Sequence, residues 1–156
     1  MIPGINPVEG YEKCVQIQDT AQPCRYPAVG QHIYLNVGTG CEERDAVCVL
    51  CAIWRLGIGG AHLNGYFMPF GEFPTHEMVQ LGVEIAEASY AAHRVSRPQV
   101  SGVPRLEYKV TCLGCEWGSV WHPHHTDAVA EHSGHAHDIS LQDAAEAMNR
   151  AAALAA

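Results

Sequence analysis

Cysteine and histidine are the residues of this chain whose number and spacing point to a specific chemistry. The 156-residue sequence holds seven cysteines and ten histidines. Two cysteine pairs have CxxC spacing, Cys48 with Cys51 and Cys112 with Cys115. Two cysteines separated by two residues reach one ion from a single tight turn, and zinc prefers four tetrahedral sulfur or nitrogen ligands. Each pair is therefore predicted to contribute to a zinc site.

Two other interpretations of the CxxC pairs stay open. Free cysteine is among the most buried residue types, so each pair could instead pack as ordinary core thiols. A redox CxxC follows a strand and opens a helix, and neither flank predicts that arrangement well. The cysteine count is odd, and the start MIPGINPVEG has neither the basic nor the apolar region of a secretory signal. We therefore expect a cytoplasmic protein without a disulfide framework.

The C-terminal third combines one CxxC pair with a dense group of histidines. Six of the ten histidines lie between residues 122 and 137. A strand, a knuckle at Cys112 and Cys115, a second strand over 116–121 and then a helix would give a ββα layout. The helix of such a layout presents histidines back to the knuckle.

His132 and His137 are the predicted third and fourth ligands of this C-terminal site. Four residues separate them, and we expect Gly134 to break the helix so that both imidazoles face one ion. His135 is the alternative to His137. The earlier histidines at 122–125 precede the helix and are predicted to lie in a solvated turn.

The residues of this segment resemble a known kind of module. The pattern C-x2-C-x-W, followed by an Ala-rich helix with spaced histidines, is similar to short zinc-finger modules of small proteins from actinobacteria and their bacteriophages. The resemblance covers about residues 106–137. It implies a structural zinc ion, and it implies no activity.

A second metal site is predicted from the N-terminal cysteines. The run KC…QPCRYPAV…VCVLC is similar to small zinc proteins in which two separated cysteines and a closing CxxC complete a four-cysteine site. The predicted ligands are Cys14, Cys24, Cys48 and Cys51, with Cys41 as a replacement for Cys14. A cluster of buried thiols is the alternative. Together the two sites predict two structural Zn²⁺ ions per chain.

The hydrophobic patterning predicts an α+β fold of small zinc-stabilised strands and helices with a C-terminal ββα zinc-finger-like module. A Pro- and Gly-containing linker over 97–104 separates a region 1–96 from a module over 105–156 that includes a terminal helix. Alternating residues predict strands, and helical periodicity with caps predicts helices. The predicted strands are 13–18, 32–37 and 105–111. The predicted helices are 75–94, 126–132 and 140 to the C-terminus. The apolar run 47–54 is predicted to be a buried strand, or a knuckle followed by a strand.

Composition and motifs weigh against several classes of protein. The net charge of −8 and the nine lysines and arginines disfavour a protein that grips phosphates, although Arg94, Arg97 and Arg105 form a thin basic patch. No apolar run reaches the ~20 residues of a membrane helix. The HExxH motif and the GxSxG motif are absent, and the Cys41-Glu42 and His76-Glu77 pairs do not have the spacing of a zinc deaminase. An enzyme, whether a zinc-dependent hydrolase or a deaminase, is therefore not favoured.

The remaining class is a non-enzymatic zinc-binding protein that acts in protein–protein interaction or assembly. Such a protein would be encoded by an actinobacterium or a phage and would act in the host cytoplasm or the virion. A segment rich in glycine and aromatic residues, 57–74, is predicted to be an ordered loop that includes Tyr66, Phe67, Phe70 and Phe73. Its large side chains dock on the protein's own core or, as the alternative, on a partner. A nucleic-acid-binding zinc finger is the first alternative.

Overall fold

The computed structural model describes residues 27–58, 65–102 and 104–155. These residues form an α+β fold of three helices, a three-stranded antiparallel sheet and a small two-stranded sheet. The predicted α+β class is therefore confirmed. The predicted strand over 13–18 and the first two cysteines of the N-terminal site lie outside the described residues.

The first sheet is built around one hairpin. Strand β1 (Gly30–Asn36) pairs antiparallel with β2 (Cys41–Val47), and β3 (Tyr66–Pro69) pairs with the other edge of β1. The predicted strand over 32–37 is confirmed to within one or two residues. A turn over 37–40 closes the hairpin, where the amide of Gly40 donates to the carbonyl of Asn36 at 2.8 Å and Gly40 has φ +71°.

Helix α1 (Val49–Leu56) corrects the expectation for the apolar run 47–54. Cys48 caps its N-terminus, and the Cys48 Sγ accepts a hydrogen bond from the amide of Cys51 at 3.4 Å. This CxxC pair therefore does follow a strand and open a helix, which the flanking sequence did not predict. Periodicity could not separate a short buried strand from a short buried helix here.

Helix α2 (His76–Ala92) confirms the helix predicted over 75–94. The Thr75 Oγ1 accepts from the amide of Met78 at 3.2 Å, so Thr75 is the N-cap that the sequence predicts. His93 is the C-cap, and its amide donates to the carbonyls of Ser89 and Tyr90. The chain then leaves the helix directly toward the second sheet.

The second sheet holds the CxxC knuckle at the end of a short hairpin. Strands β4 (Gln99–Val100) and β5 (Tyr108–Lys109) pair antiparallel, so the predicted linker over 97–104 contributes a strand. Isolated bridges continue the pairing, between Tyr108 and His122 and between Thr111 and Gly118. The amide of Cys112 donates to the carbonyl of Trp117 at 2.9 Å and closes the knuckle turn.

Helix α3 (His125–Ala155) is one continuous helix of 31 residues. The predicted break at Gly134 is therefore wrong, and so is a separate helix that begins at Ser140. The Ser140 Oγ donates to the carbonyl of Ala136 at 2.6 Å inside the helix, so it caps nothing. Among the described residues, no helix is long and apolar enough to cross a membrane.

Helices α2 and α3 pack antiparallel and share one apolar core with α1. The first half of α2 contacts the second half of α3, since a Cβ on Gly82 would lie 2.9 Å from the Met148 Sδ. Further along, the Ser89 Oγ donates to the Asp143 Oδ2 at 2.7 Å. The core residues that the three helices contribute include Ala52, Ile53, Val79, Val83, Ala86, Ala144 and Met148. The proposed boundary between regions 1–96 and 105–156 stays a prediction.

Candidate metal centre

Three potential metal ligands meet where α2 ends against the CxxC knuckle. One ligand atom each from His93, Cys112 and Cys115 lies within 4.8 Å of the other two. Tetrahedral zinc holds sulfur and nitrogen donors roughly 3.3–3.8 Å apart, as its bond lengths require. A small inward movement of these side chains would therefore bring all three donors to bonding distance of one ion.

Backbone contacts hold the CxxC knuckle against the end of α2. The amide of Leu113 donates to the carbonyl of Arg94 at 2.8 Å, and Val95 pairs with Cys112 in an antiparallel bridge. Gly114 passes so close to the end of α2 that a Cβ there would collide with the Ala92 carbonyl oxygen and lie 3.1 Å from the His93 Cδ2. Glycine is the residue that permits this contact.

The hydrogen bonds of His93 leave one ring nitrogen for a metal. Its Nδ1 lies 2.7 Å from the carbonyl oxygen of Ser89, which can only accept, so Nδ1 carries the proton. The Nε2 of this tautomer carries no proton, so its lone pair can bind a metal ion. Metal-bound histidines usually donate their other N–H to a carbonyl or carboxylate in this way.

Cys112 is the buried half of the cysteine pair and Cys115 the exposed half. Burial is the largest influence on the pKa of the Cys112 thiol and raises it. The backbone N–H groups of Gly114 and Cys115 act in the opposite direction without cancelling that effect. Amides that point at this sulfur are the hydrogen bonds that a metal-bound thiolate needs.

Helix α3 brings a histidine nitrogen against one of these three donors. The His135 Nε2 lies 3.2 Å from the Cys115 Sγ. The His135 ring stacks on Trp117, with centroids 4.6 Å apart and planes within 8°. An open groove of about 390 Å³ adjoins this stack, and its lining consists of Trp117, Glu131, Gly134, His135, Asp138, Ile139 and Gln142.

His132 lies one turn before His135 and faces the same interior. It is 5 % exposed, and its Nε2 is buried with no hydrogen-bond partner among the described residues. Burial, with His135 and His93 nearby, lowers the pKa of His132 and favours the neutral imidazole. Its ring meets Trp117 edge-on at 5.7 Å and lies 6.0 Å from that of His135.

No known protein family matches this chain, and no curated protein or solved structure is significantly similar to it. The resemblance of residues 106–137 to short zinc-finger modules therefore stays a prediction.

The other predicted C-terminal ligand, His137, packs against Trp54 and Tyr90 and is not part of the three-donor cluster. The Trp54 Nε1 donates to its Nδ1 at 3.1 Å, and Tyr90 packs edge-on against its ring at 5.2 Å. In a continuous helix, residues five apart are about 140° apart around the axis, so His132 and His137 occupy different faces. His132 and His135 are about 60° apart and share one face.

The predicted N-terminal site is described only in part. Cys14 and Cys24 lie outside the described residues. Cys48 is fully buried and Cys51 is 8 % exposed, both at the start of α1. Cys41 is exposed at the start of β2. The four-cysteine site and the count of two ions stay predictions.

Sequence reasoning assigned His93 only to a helix terminus. Eighteen residues separate it from Cys112, so no local spacing links it to the knuckle. The sequence does contain a signal. His93 lies at the C-terminus of a predicted helix, shortly before a strand that leads to the CxxC pair. Antiparallel pairing of the segment after the helix with that strand would bring the histidine back to the knuckle. That pairing between 95 and 112 was not predicted.

A second polar cluster lies on the first sheet. The Tyr34 hydroxyl is 2.8 Å from the Glu43 Oε2 and 3.0 Å from the Asp45 Oδ2. The Arg55 Nη1 donates to the Asp45 Oδ2 at 2.8 Å. The bond to Glu43, burial and the bond to Asp45 together raise the pKa of Tyr34 to about 12. Each of these groups has a structural partner, so the cluster ties β1, β2 and α1 together.

Proposed function

We propose that this protein is a non-enzymatic zinc-binding protein whose metal centre has a structural role. The observation that carries the proposal is the convergence of His93, Cys112 and Cys115, with His135 against the exposed cysteine. Two thiolates and two imidazoles form a donor set typical of structural zinc. In this proposal the hairpin over 108–122 and the first half of α3 act as a zinc-finger-like ββα unit.

The donor count favours a closed site over a catalytic one. Catalytic zinc keeps one position for water and uses three protein ligands. Here α3 supplies a histidine beside the three clustered donors, which leaves no such position. The centre would tie the end of α2, the knuckle and α3 together, so that the metal stabilises the fold in place of a larger apolar core.

A protein partner is proposed for the exposed face of strand β3. Tyr66 and Met68 alternate along this strand and Phe70 follows its last residue, and each is 44–51 % exposed. Phe67, between Tyr66 and Met68, is 2 % exposed. The predicted aromatic segment therefore divides into a buried and an exposed set. Large apolar side chains aligned on one face are typical of surfaces that contact other proteins.

Metal content tests the zinc assignment. We expect native mass spectrometry of the wild-type protein to show Zn²⁺ bound at this centre. Cys112→Ser should lose one ion, because it removes a buried thiolate ligand. Cys41→Ser is the matched control and should keep that ion, since Cys41 is exposed and lies on another sheet. Retention of the full metal content by Cys112→Ser would contradict the proposal.

Photo-crosslinking tests the partner. A benzoylphenylalanine at position 70 should give a crosslink to one protein in the native host that persists at high salt. The same group at position 154, which is 88 % exposed at the end of α3, is the control. A crosslinked product that nuclease removes and that disappears at high salt would indicate nucleic acid instead.

A further inference from the structure

We infer that α3 offers two interchangeable histidines to the metal, an outer one, His135, and an inner one, His132. This inference rests on the proposed zinc centre and describes how that centre exchanges its fourth ligand. Three donors, on His93, Cys112 and Cys115, already lie together. A tetrahedral ion takes one more, so it binds only one of the two α3 histidines at a time.

The inner histidine has a buried nitrogen without a hydrogen-bond partner among the described residues. A buried polar atom without a partner costs about 1–3 kcal/mol, and such atoms in native proteins usually meet a protein group, a water or an ion. The Nε2 of His132 is such an atom among the described residues, although its side chain is 95 % buried beside the cluster. A metal ion bound to His93 and Cys112 is the partner that this nitrogen lacks.

The outer histidine is in direct contact with one cysteine of the centre. The His135 Nε2 touches the sulfur of Cys115, and both side chains lie on the accessible side of the centre. An ion that arrives from solvent therefore meets Cys115 and His135 first. Cys112 and His132 form the buried side.

Trp117 packs against both α3 histidines. Its ring stacks flat on His135 and receives His132 at its edge, so it holds the two imidazoles 6.0 Å apart. Both histidines project from one face of a continuous helix. A rotation of the side chains, with no change in the backbone, exchanges one donor for the other.

Cobalt(II) is the probe for this exchange, because Zn²⁺ is d¹⁰ and the visible spectrum of Co²⁺ reports tetrahedral geometry. The variants are His132→Gln, His135→Gln and the double variant, with His137→Gln as the control on another helix face. At this centre, we expect each single variant to bind one Co²⁺ tetrahedrally with an affinity no more than about tenfold below wild type. The double variant should lose more than the ~10–100-fold that removal of an outer-shell partner costs.

Each other outcome overturns the inference. If one single variant loses as much affinity as the double variant, the site has one fixed fourth ligand. If the double variant binds Co²⁺ at this centre with the affinity of the wild type, α3 supplies no ligand. If His137→Gln abolishes binding, the ligand lies on a different face of α3 from the one proposed. If the wild-type protein binds no Co²⁺ or Zn²⁺, the proposed zinc function itself fails. Circular dichroism of each variant separates lost ligands from lost folding.

Discussion

At the scale of single residues, the metal centre depends on Gly114 as much as on its ligands. The knuckle can lie against α2 only because no side chain stands between Gly114 and the carbonyl of Ala92. That contact brings Cys112 and Cys115 to His93. A residue that binds nothing therefore determines the distances among the donors.

Gly114→Ala should weaken metal binding. The added methyl group would overlap backbone atoms that cannot rotate away, at a cost of about 1–3 kcal/mol. Because about 1.4 kcal/mol corresponds to a factor of ten, Zn²⁺ affinity should fall by about fivefold or more. Competition with a chromophoric chelator measures it.

The control is Gly118→Ala in the same hairpin, where a Cβ would lie 3.5 Å from the Lys109 Cε, an ordinary contact. It should leave the affinity within about a factor of two, which is a few tenths of a kcal/mol. Equal losses in the two variants would show that the hairpin tolerates no alanine, and that close contact with α2 is not the reason.

Tyr34 gives a residue-scale prediction about pH. Its pKa is near 12 in the folded protein and near 10 when unfolded, so the folded state holds the proton more tightly. The resulting stability is complete below about pH 10 and is lost as the pH rises from about 10 to 12. Urea unfolding at a series of alkaline pH values should show this decline.

Tyr34→Phe should remove the decline and lower the stability at neutral pH by about 1–2 kcal/mol, because Glu43 and Asp45 lose a donor. Tyr66→Phe is the control, since Tyr66 is half exposed at the sheet edge. If wild type and Tyr34→Phe respond identically between about pH 10 and 12, the hydroxyl does not bind these carboxylates.

At the scale of elements, α2 was predictable and α3 was only partly so. Thr75 and the apolar repeat encode α2 locally. Gly134 suggested a break in α3, because glycine costs about 1 kcal/mol in a helix. Burial of Ala136, Ala144 and Met148 along the same helix outweighs that cost. The role of His93 as a potential ligand was not predicted for a related reason. Long-range packing, and not local sequence, brings His93 to the knuckle.

Two glycine substitutions test this account of the helices. Both Gly134→Ala and Gly82→Ala gain the same ~1 kcal/mol of helix propensity. A Cβ at 134 would meet nothing within 4 Å, whereas one at 82 would lie 2.7 Å from the Ile53 Cδ1. Gly134→Ala should therefore be the more stable variant by about 1–3 kcal/mol, the usual cost of overpacking.

Thermal and urea unfolding of both variants measure the difference. Gly134→Ala should also exceed wild type, since its methyl group enters open space. A decrease in its stability would show that α3 needs a flexible point at 134, and would revive the break that the sequence suggested.

At the scale of the whole molecule, an apolar core and a metal centre occupy different ends of the α2–α3 pair. Val79, Val83 and Met148 lie in the core, whereas His93 and His135 lie at the other end. The predicted independent module over 106–137 therefore shares its helix with the core. The two ends need not lose structure together.

Hydrogen exchange after chelation should show this difference. We expect residues 108–122 and the first turns of α3 to lose protection, because few buried apolar residues stabilise that hairpin without metal. Amides near Val83 and Met148 should stay protected. Equal loss of protection at both ends would mean that the molecule unfolds as one cooperative unit.

The placement of the knuckle at the C-terminal end of α2 has a consequence for how metal enters. The peptide dipoles of a helix sum to a partial negative charge at that end, which attracts cations and repels thiolates. Together with the raised pKa of Cys112, this keeps that thiol protonated in the metal-free protein at neutral pH. Uptake of a divalent ion is then an exchange of metal for protons. A titration in weak buffer should show acid released with each ion bound, and lower pH should demand more free metal for the same occupancy.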